Sequence, residues 1–561
     1  MAMNGSGFTP IAVVSVRTPE REQRLAPPGL WIPAAAMAVS LLIAALGGLT
    51  LGILAAFEVS VAGDRWLVAV QAHGELQLWG WFAVFIVTLL FEFIVRLNGR
   101  APVPLRTRVL VLSLLGSGAL ISATGRLVEG VAPALVPAGA SMMAVGASLL
   151  AVTVMRIRPA HPYRVDLHPL FFRAGVLWLL VAAVAALVAS RQVAGGATSL
   201  EESHVVAEIV LRGFVMNVTF AVGLRAFVGH LGLPPMPVER QRVLFGLVNG
   251  GIVVWVAGTG GFGLPGSEAL TAAGDLLFAA GMLWATWAFD ILRAARRWRR
   301  PAHRAQLLVP VAWAGLVAYA LLLAAQAVLV LGSDTRPTLF ETGAARHLLA
   351  LGFVAPLLLA MSHVVLERFL IGRLTGERWL TAAFALLVVA WPLRVVPPLV
   401  DGGMGEVAQG LMGTAGMLTS AALLVAAAVS AQNGLAAERY VRLLRRLDAR
   451  SAPARPASGM PAVPPSTLIP MAGDPRPGTT AKGATHMHEI DVRPDIAAGR
   501  EPFPRIMAAA RALGPGEAFR LVAPFEPAPL YEVLGAQGFQ HEAAAQPDGS
   551  WHVTFRRTAG A

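Results

Sequence analysis

Cysteine is absent from all 561 residues. That excludes thiolate-ligated haem, iron–sulfur centres, disulfides and cysteine-based sulfur transfer, because each needs a sulfur that cysteine supplies. Lysine is nearly absent: Lys482 stands alone. Charge is scarce as a whole, 14% of residues, where a soluble domain carries about 25%. Signatures of soluble enzymes are missing too, with no P-loop, no G-x-S-x-G elbow and no H-E-x-x-H. No cleavable signal peptide is expected. The first 27 or so residues are polar, and the apolar run from Leu30 to Phe57 is longer than a signal h-region.

What is present is apolar. Hydrophobic residues make up 56% of the chain and the mean hydropathy is +0.63. With roughly twenty apolar residues needed per crossing, the sequence predicts about twelve spans. They fall near 30–57, 66–95, 107–125, 131–155, 170–190, 204–229, 241–262, 267–292, 306–332, 345–370, 378–400 and 405–431. The net charge of +12 resides in arginines of alternate loops, such as Arg96, Arg100, Arg106 and Arg108, or Arg296, Arg297, Arg299 and Arg300. The loops between carry acids, among them Glu129, Glu201, Glu202, Asp334 and Asp401. This is the positive-inside pattern. It predicts a bacterial inner-membrane protein with both termini in the cytoplasm and the lipid bilayer as its first partner. Nucleic acid is not an expected partner, since the arginines form no single patch.

The organisation follows. Residues 1–27 read as a cytoplasmic tail and 28–450 as the membrane domain, ending in a basic amphipathic extension at 436–450. Residues 451–486 form a Pro/Ala/Gly-rich linker, and 487–561 a small globular domain. In that domain, alternation and turn residues predict strands at 488–492, 517–522, 539–545 and 551–557, with helices at 502–513 and 528–536 and a PDG turn before the last strand. The expected fold class is an all-α polytopic membrane protein in three pseudo-repeats of four helices, plus a small α+β (βαβαββ) domain.

The repeat is carried by a motif in every fourth span: AHGELQLWGWFAVF at His73, ESHVVAEIVLRGFVMNVTF at His204, and RHLLALGFVAPLLL at His347. Each histidine precedes a Gly-aromatic pair, Gly80-Trp81, Gly213-Phe214 or Gly352-Phe353. Ionisable side chains are costly in a bilayer, so a recurrent one marks a site, and imidazole ligates haem iron and copper. His73, His204 and His347 are therefore candidate haem or metal ligands at similar depth. Their offsets to the glycine differ (7, 9 and 5 residues), so a symmetric ring of three does not follow. Glu208, one turn after His204, is a further candidate ligand and a candidate i,i+4 partner for Arg212. Glu75 shares the ligand reading. His363 is a candidate second metal site or the partner of Glu367 at a loop end. Each histidine also reads as an isolated hydrogen-bonded residue, and each motif glycine as a packing residue. Glu92 and Asp290 read as snorkelling groups, and residues 161–173 as an interfacial anchor. The Gly-rich 258–266 is a candidate re-entrant segment.

The runs QAHGELQLWGWFAVFI, LRGFVMNVTFAVGLRAF with GHLGLPP, HPLFFRAGVLWLL and ARHLLALGFVAPLLLAMSHVVLERF resemble the NnrS family of bacterial membrane proteins over about 28–430. That resemblance implies haem (here b-type) and copper, nitric oxide or another small gaseous ligand, and a place in nitric oxide stress or denitrification. A looser similarity links His73-Gly74 to the second-helix ligand of the haem–copper oxidase large subunit. The adjacent histidine pairs of those oxidases are missing here, and Phe91 and Glu92 occupy the later part of the second span. The segment EIDVRPDIAAGREPFPRIMAAARAL resembles a TusA/SirA-like domain, without the Cys-Pro of TusA proper. His486 and His488 at its start are candidate metal ligands or strand-edge residues. Such a domain implies a cytoplasmic protein partner. A transporter or metal/haem handling protein, and a scaffold acting through residues 487–561, are the alternative functions.

Overall fold

The structure, a computed structural model, describes residues 31–57, 65–451 and 488–558 apart from short stretches, the longest being 260–266, 298–303 and 494–502. The N-terminal tail, the linker, most of the Gly-rich segment, His161, His486, the side chains of Glu367 and His488, and the PDG turn lie outside the described residues. The chain divides into a helical unit, 26–445, and a unit that includes everything from Arg446 onward.

Among the described residues, twelve helices are long and apolar enough to cross a membrane. They are α1 (Ile32–Ile53), α2 (Trp66–Leu97), α3 (Leu105–Leu127), α4 (Ala132–Arg156), α5 (His168–Gln192), α6 (Leu200–Val228), α7 (Val238–Thr259), α8 (Ser267–Ala294), α9 (Arg304–Ser333), α10 (Leu339–His363), α11 (Glu377–Val400) and α12 (Glu406–Arg439). The last continues as helix to Ser451. Burial ranks them sharply. Within its most apolar stretch α2 is 94% buried, and α6 and α10 are each 78% buried, whereas none of the other nine exceeds 50%. The three spans that carry the motif are thus the inner helices of the bundle. The rest present Val253, Leu321, Val328 and Leu329 outward, as lipid-facing helices do.

All three motifs contain a π-helical segment: Leu76–Ala83 in α2, Ile209–Val215 in α6 and Leu348–Val354 in α10. A fourth, Ile43–Leu49, lies in α1. Such turns are rare and gather at functional sites. Each motif glycine sits inside its segment and packs on the preceding span. A Cβ at Gly80 would stand 2.7 Å from Ile43 of α1, and one at Gly213 would stand 2.7 Å from Trp178 of α5. Gly352 faces Gly315 of α9 so closely that a Cβ on Gly315 would lie 2.0 Å from the Gly352 carbonyl oxygen. Gly80 and Gly213 thus admit a side chain of the preceding span, whereas at Gly352 the close approach depends on Gly315 of α9.

The C-terminal unit has the order β1 (His488–Asp491), α13 (Phe503–Ala512), β2 (Ala518–Ala523), α14 (Ala528–Gly535), β3 (Phe539–Ala545) and β4 (Trp551–Arg557). Strand order in the sheet is β1-β2-β4-β3. β1 runs parallel to β2, and β4 is antiparallel to both β2 and β3. Alternate residues Phe519, Leu521, Val553 and Phe555 join Ile490, Ile506 and Leu534 in one small core. Phe519 and Phe555 are directly opposed, with ring centroids 5.3 Å apart.

Candidate functional site

α2 and α10 bring two of the three motif histidines together. The rings of His73 and His347 lie 6.3 Å apart between centroids, with planes 14° from parallel. His73 Nδ1 is 2.6 Å from the Gly48 carbonyl oxygen in the π-turn of α1. His347 Nδ1 is 2.6 Å from the carbonyl oxygen of Gly343, one turn back. A carbonyl can only accept, so in both rings Nδ1 carries the proton and donates it. In the neutral imidazole Nε2 then keeps its lone pair, the arrangement common to metal-bound histidines. Gly52 of α1 makes room for the His73 ring, since a Cβ there would stand 2.9 Å from Nδ1. The π-turn of α1 also supplies the Ala44 carbonyl to Gln77 at 3.1 Å. Arg394 of α11 is within electrostatic reach of both imidazoles.

His204 takes the opposite tautomer. Its Nδ1 lies 2.6 Å from an Arg346 nitrogen, and guanidinium only donates, so Nδ1 accepts and the neutral ring is protonated at Nε2. In this arrangement His204 offers a metal no lone pair. It stands edge-on to Trp255 of α7 at 5.6 Å, apart from the His73–His347 pair. Arg346 joins it to Glu208, which accepts from Arg346 at 3.0 Å and from Arg212 at 2.7 Å, the i,i+4 pair the sequence suggested. Arg212 also bonds Asp275 of α8 and lies over the rings of Trp255 and Phe278. Glu208 is 3% exposed. A carboxylate buried between two arginines is held by charge and hydrogen bonding together.

His363 stands apart from these groups, about 24 Å along α10 from His347 at 1.5 Å per residue. Its Nδ1 is 3.0 Å from the Leu359 carbonyl and its Nε2 3.2 Å from Thr381 of α11. Glu75 accepts from Arg126 of α3 at 2.7 and 2.9 Å rather than meeting a histidine. Among the described residues, no three His, Cys, Asp or Glu side chains stand close enough to hold a metal ion by themselves.

Charged groups read as peripheral are internal. Glu92 is 7% exposed and bridges Arg108 at 2.5 Å and Arg96 at 2.9 Å, so it is paired in the bundle and does not snorkel. The segment read as an anchor holds a second buried cluster. His168 is fully buried, with Nδ1 donating to Asp166 at 2.7 Å, and Asp166 is also bonded by Arg225 of α6. Asp275, Arg346, Arg126 and Arg394 were legible as charges inside apolar runs, the signal that could have found them.

Burial pushes the Asp166 carboxyl up, but hydrogen bonding from His168 and the charge of Arg225 outweigh it and hold the group at about 2. Its unfolded value is about 3.9, so its contribution to stability is complete above about pH 4 and is lost as pH falls through 2. The melting temperature in detergent is expected to fall across that window. Asp166→Asn should flatten this part of the profile and cost about 3 kcal/mol at neutral pH by stranding Arg225. An unchanged acid limb in that variant would show that Asp166 does not carry it.

Comparison with known proteins places the C-terminal unit alone. No curated protein matches the chain. Residues 489–557 match the family described as uncharacterized conserved protein DUF2249, and this stretch resembles the small α+β folds of the TusA/SirA type.

Proposed function

We propose that the chain is an inner-membrane haem protein whose haem would be held by His73 and His347. We further propose that it acts in nitric oxide response or denitrification-related respiration, as the NnrS-like motifs imply. The observation that carries this reading is the His73–His347 pair, two inner helices presenting near-parallel imidazoles whose Nδ1 protons are committed to carbonyls. The 6.3 Å between the ring centroids supports one group shared by the two imidazoles. The donor set therefore fits haem iron, whose macrocycle supplies the remaining ligands. It does not fit a copper site built on three side chains, which the described residues lack.

A haem held by these two imidazoles would supply reversible one-electron transfer. The chain's own part is orientation. The Gly48 and Gly343 carbonyls fix the ring planes, Gly52 admits the His73 ring, and both rings are half-buried between apolar residues of α2 and α10. The positive-inside pattern puts the histidine-bearing end of the bundle on the outer side and both termini in the cytoplasm. The C-terminal domain would there meet a cytoplasmic protein partner.

The test is an absorption spectrum of the detergent-purified full-length protein, oxidised, reduced and with nitric oxide, together with iron and copper content. A Soret band that sharpens on reduction, with about one iron and little copper per chain, is expected. A colourless preparation after expression with ample haem would reject the haem reading and favour a transporter or scaffold.

A further inference from the structure

Residues of α6 to α10 line a cavity of about 250 Å³ that runs past His204 to Arg212, Asp275 and Tyr319. Its far end is deep. Asp275 lies about 12 Å along α8 from Ser267, and Arg212 about 18 Å along α6 from Leu200, at 1.5 Å per residue. The Tyr319 hydroxyl is buried, and Arg212 approaches it without hydrogen-bond geometry, so it has no partner among the described residues. A cavity this size, with charged groups along it and a buried hydroxyl unpartnered, has room for several waters at about 30 Å³ each. Below it the path is closed. Phe278 and Tyr319 meet edge to face at 6.5 Å, Trp313 and Phe353 at 5.3 Å, and Gly315 lies against Gly352.

We propose that this cavity is a hydrated proton half-channel, open at the His204 end and ending on the Arg212–Asp275–Tyr319 group. The charged and titratable groups facing Asp275 are His204, Glu208 and Arg212 from α6, Glu268 from α8, Tyr319 from α9 and Arg346 from α10, while α7 contributes Trp255. Glu208 is clamped by two arginines, whereas Asp275 is held by Arg212 alone among the contacts of these groups. Asp275 is therefore the carboxylate that gives up its ion pair. A proton entering along the waters adds to an Asp275 oxygen to form the neutral acid, and release to the same waters reverses the step. No electron moves, and the inference stands without any metal at the histidine pair.

The lack of cysteine makes the test clean. Ala327 lines the cavity and its neighbour Val328 faces outward, 57% exposed. Full-length Ala327→Cys and Val328→Cys would each be treated with a charged methanethiosulfonate, which reacts with thiolate and so needs water. Ala327→Cys should label at least about tenfold faster, because lipid suppresses the thiolate. Infrared spectra across a pH titration should show a carboxylic acid band that shifts in deuterated water and disappears in Asp275→Asn. Equal labelling rates would overturn the hydrated path. Fast labelling with an acid band unchanged in Asp275→Asn would overturn proton exchange and leave a cavity for another small polar solute.

Discussion

Gly315→Ala is expected to be among the most damaging single substitutions in the bundle, costing about 3 kcal/mol or more by overpacking. The added methyl would stand 2.0 Å from the Gly352 carbonyl oxygen and 2.5 Å from its carbon. Those atoms are backbone inside a π-turn, so no rotamer change relieves the clash, and α9 must move from α10. That displacement would also open the floor below Tyr319 and disturb the helix that carries His347. Gly332, in the same helix, has nothing within 4 Å of the position a Cβ would take. Gly332→Ala should therefore be neutral or slightly stabilising, since alanine favours helix over glycine by up to about 1 kcal/mol. Thermal melts of both variants in one detergent decide it. Equal melting temperatures would mean that the close approach of α9 and α10 is not what holds this part of the bundle.

Much of this architecture was legible because the bilayer constrains it. Twelve apolar runs map onto twelve helices, and the motif that recurs in every fourth span falls on the three most buried of them. The C-terminal order was legible for another reason: its strands alternate with period two and its helices end at glycines such as Gly514 and Gly538. What was not legible is the π-helix. A π-turn adds a residue without changing composition, and it rotates everything beyond it relative to a 3.6-residue count. Offsets of 7, 9 and 5 residues from histidine to glycine argued against a symmetric ring of three, and the structure pairs His73 with His347 while His204 bonds Arg346. Partner choice was equally hidden. The motif gives three histidines equal status, and Arg346 separates them: adjacent to His347 in sequence, it bonds His204 and Glu208 across the bundle. An arginine next to a candidate ligand carried that information, but periodicity has no term for which side chain it reaches.

The division among the histidines gives the other large effect. His73→Ala and His347→Ala should each lower haem affinity by more than about 100-fold, since loss of an outer-shell contact alone costs about 10–100-fold. The double variant should be little worse than either, because a two-ligand site fails when one ligand is gone. His204→Ala should keep the Soret band, since its Nδ1 is occupied by Arg346 and its Nε2 bears the proton. His363→Ala should keep it too, being tied to Leu359 and Thr381 far along α10. Soret absorbance and iron per mole of protein measure all four, and a normal melting temperature in each separates ligand loss from unfolding. Full haem in His73→Ala would sink the assignment of His73 and His347 as haem ligands, whatever the spectrum of the unaltered protein. Loss in His204→Ala alone would instead move the iron to the cavity side of Arg346, where the tautomer argument forbids it. The four outcomes thus test the reasoning from carbonyl and guanidinium partners as directly as they test the ligands.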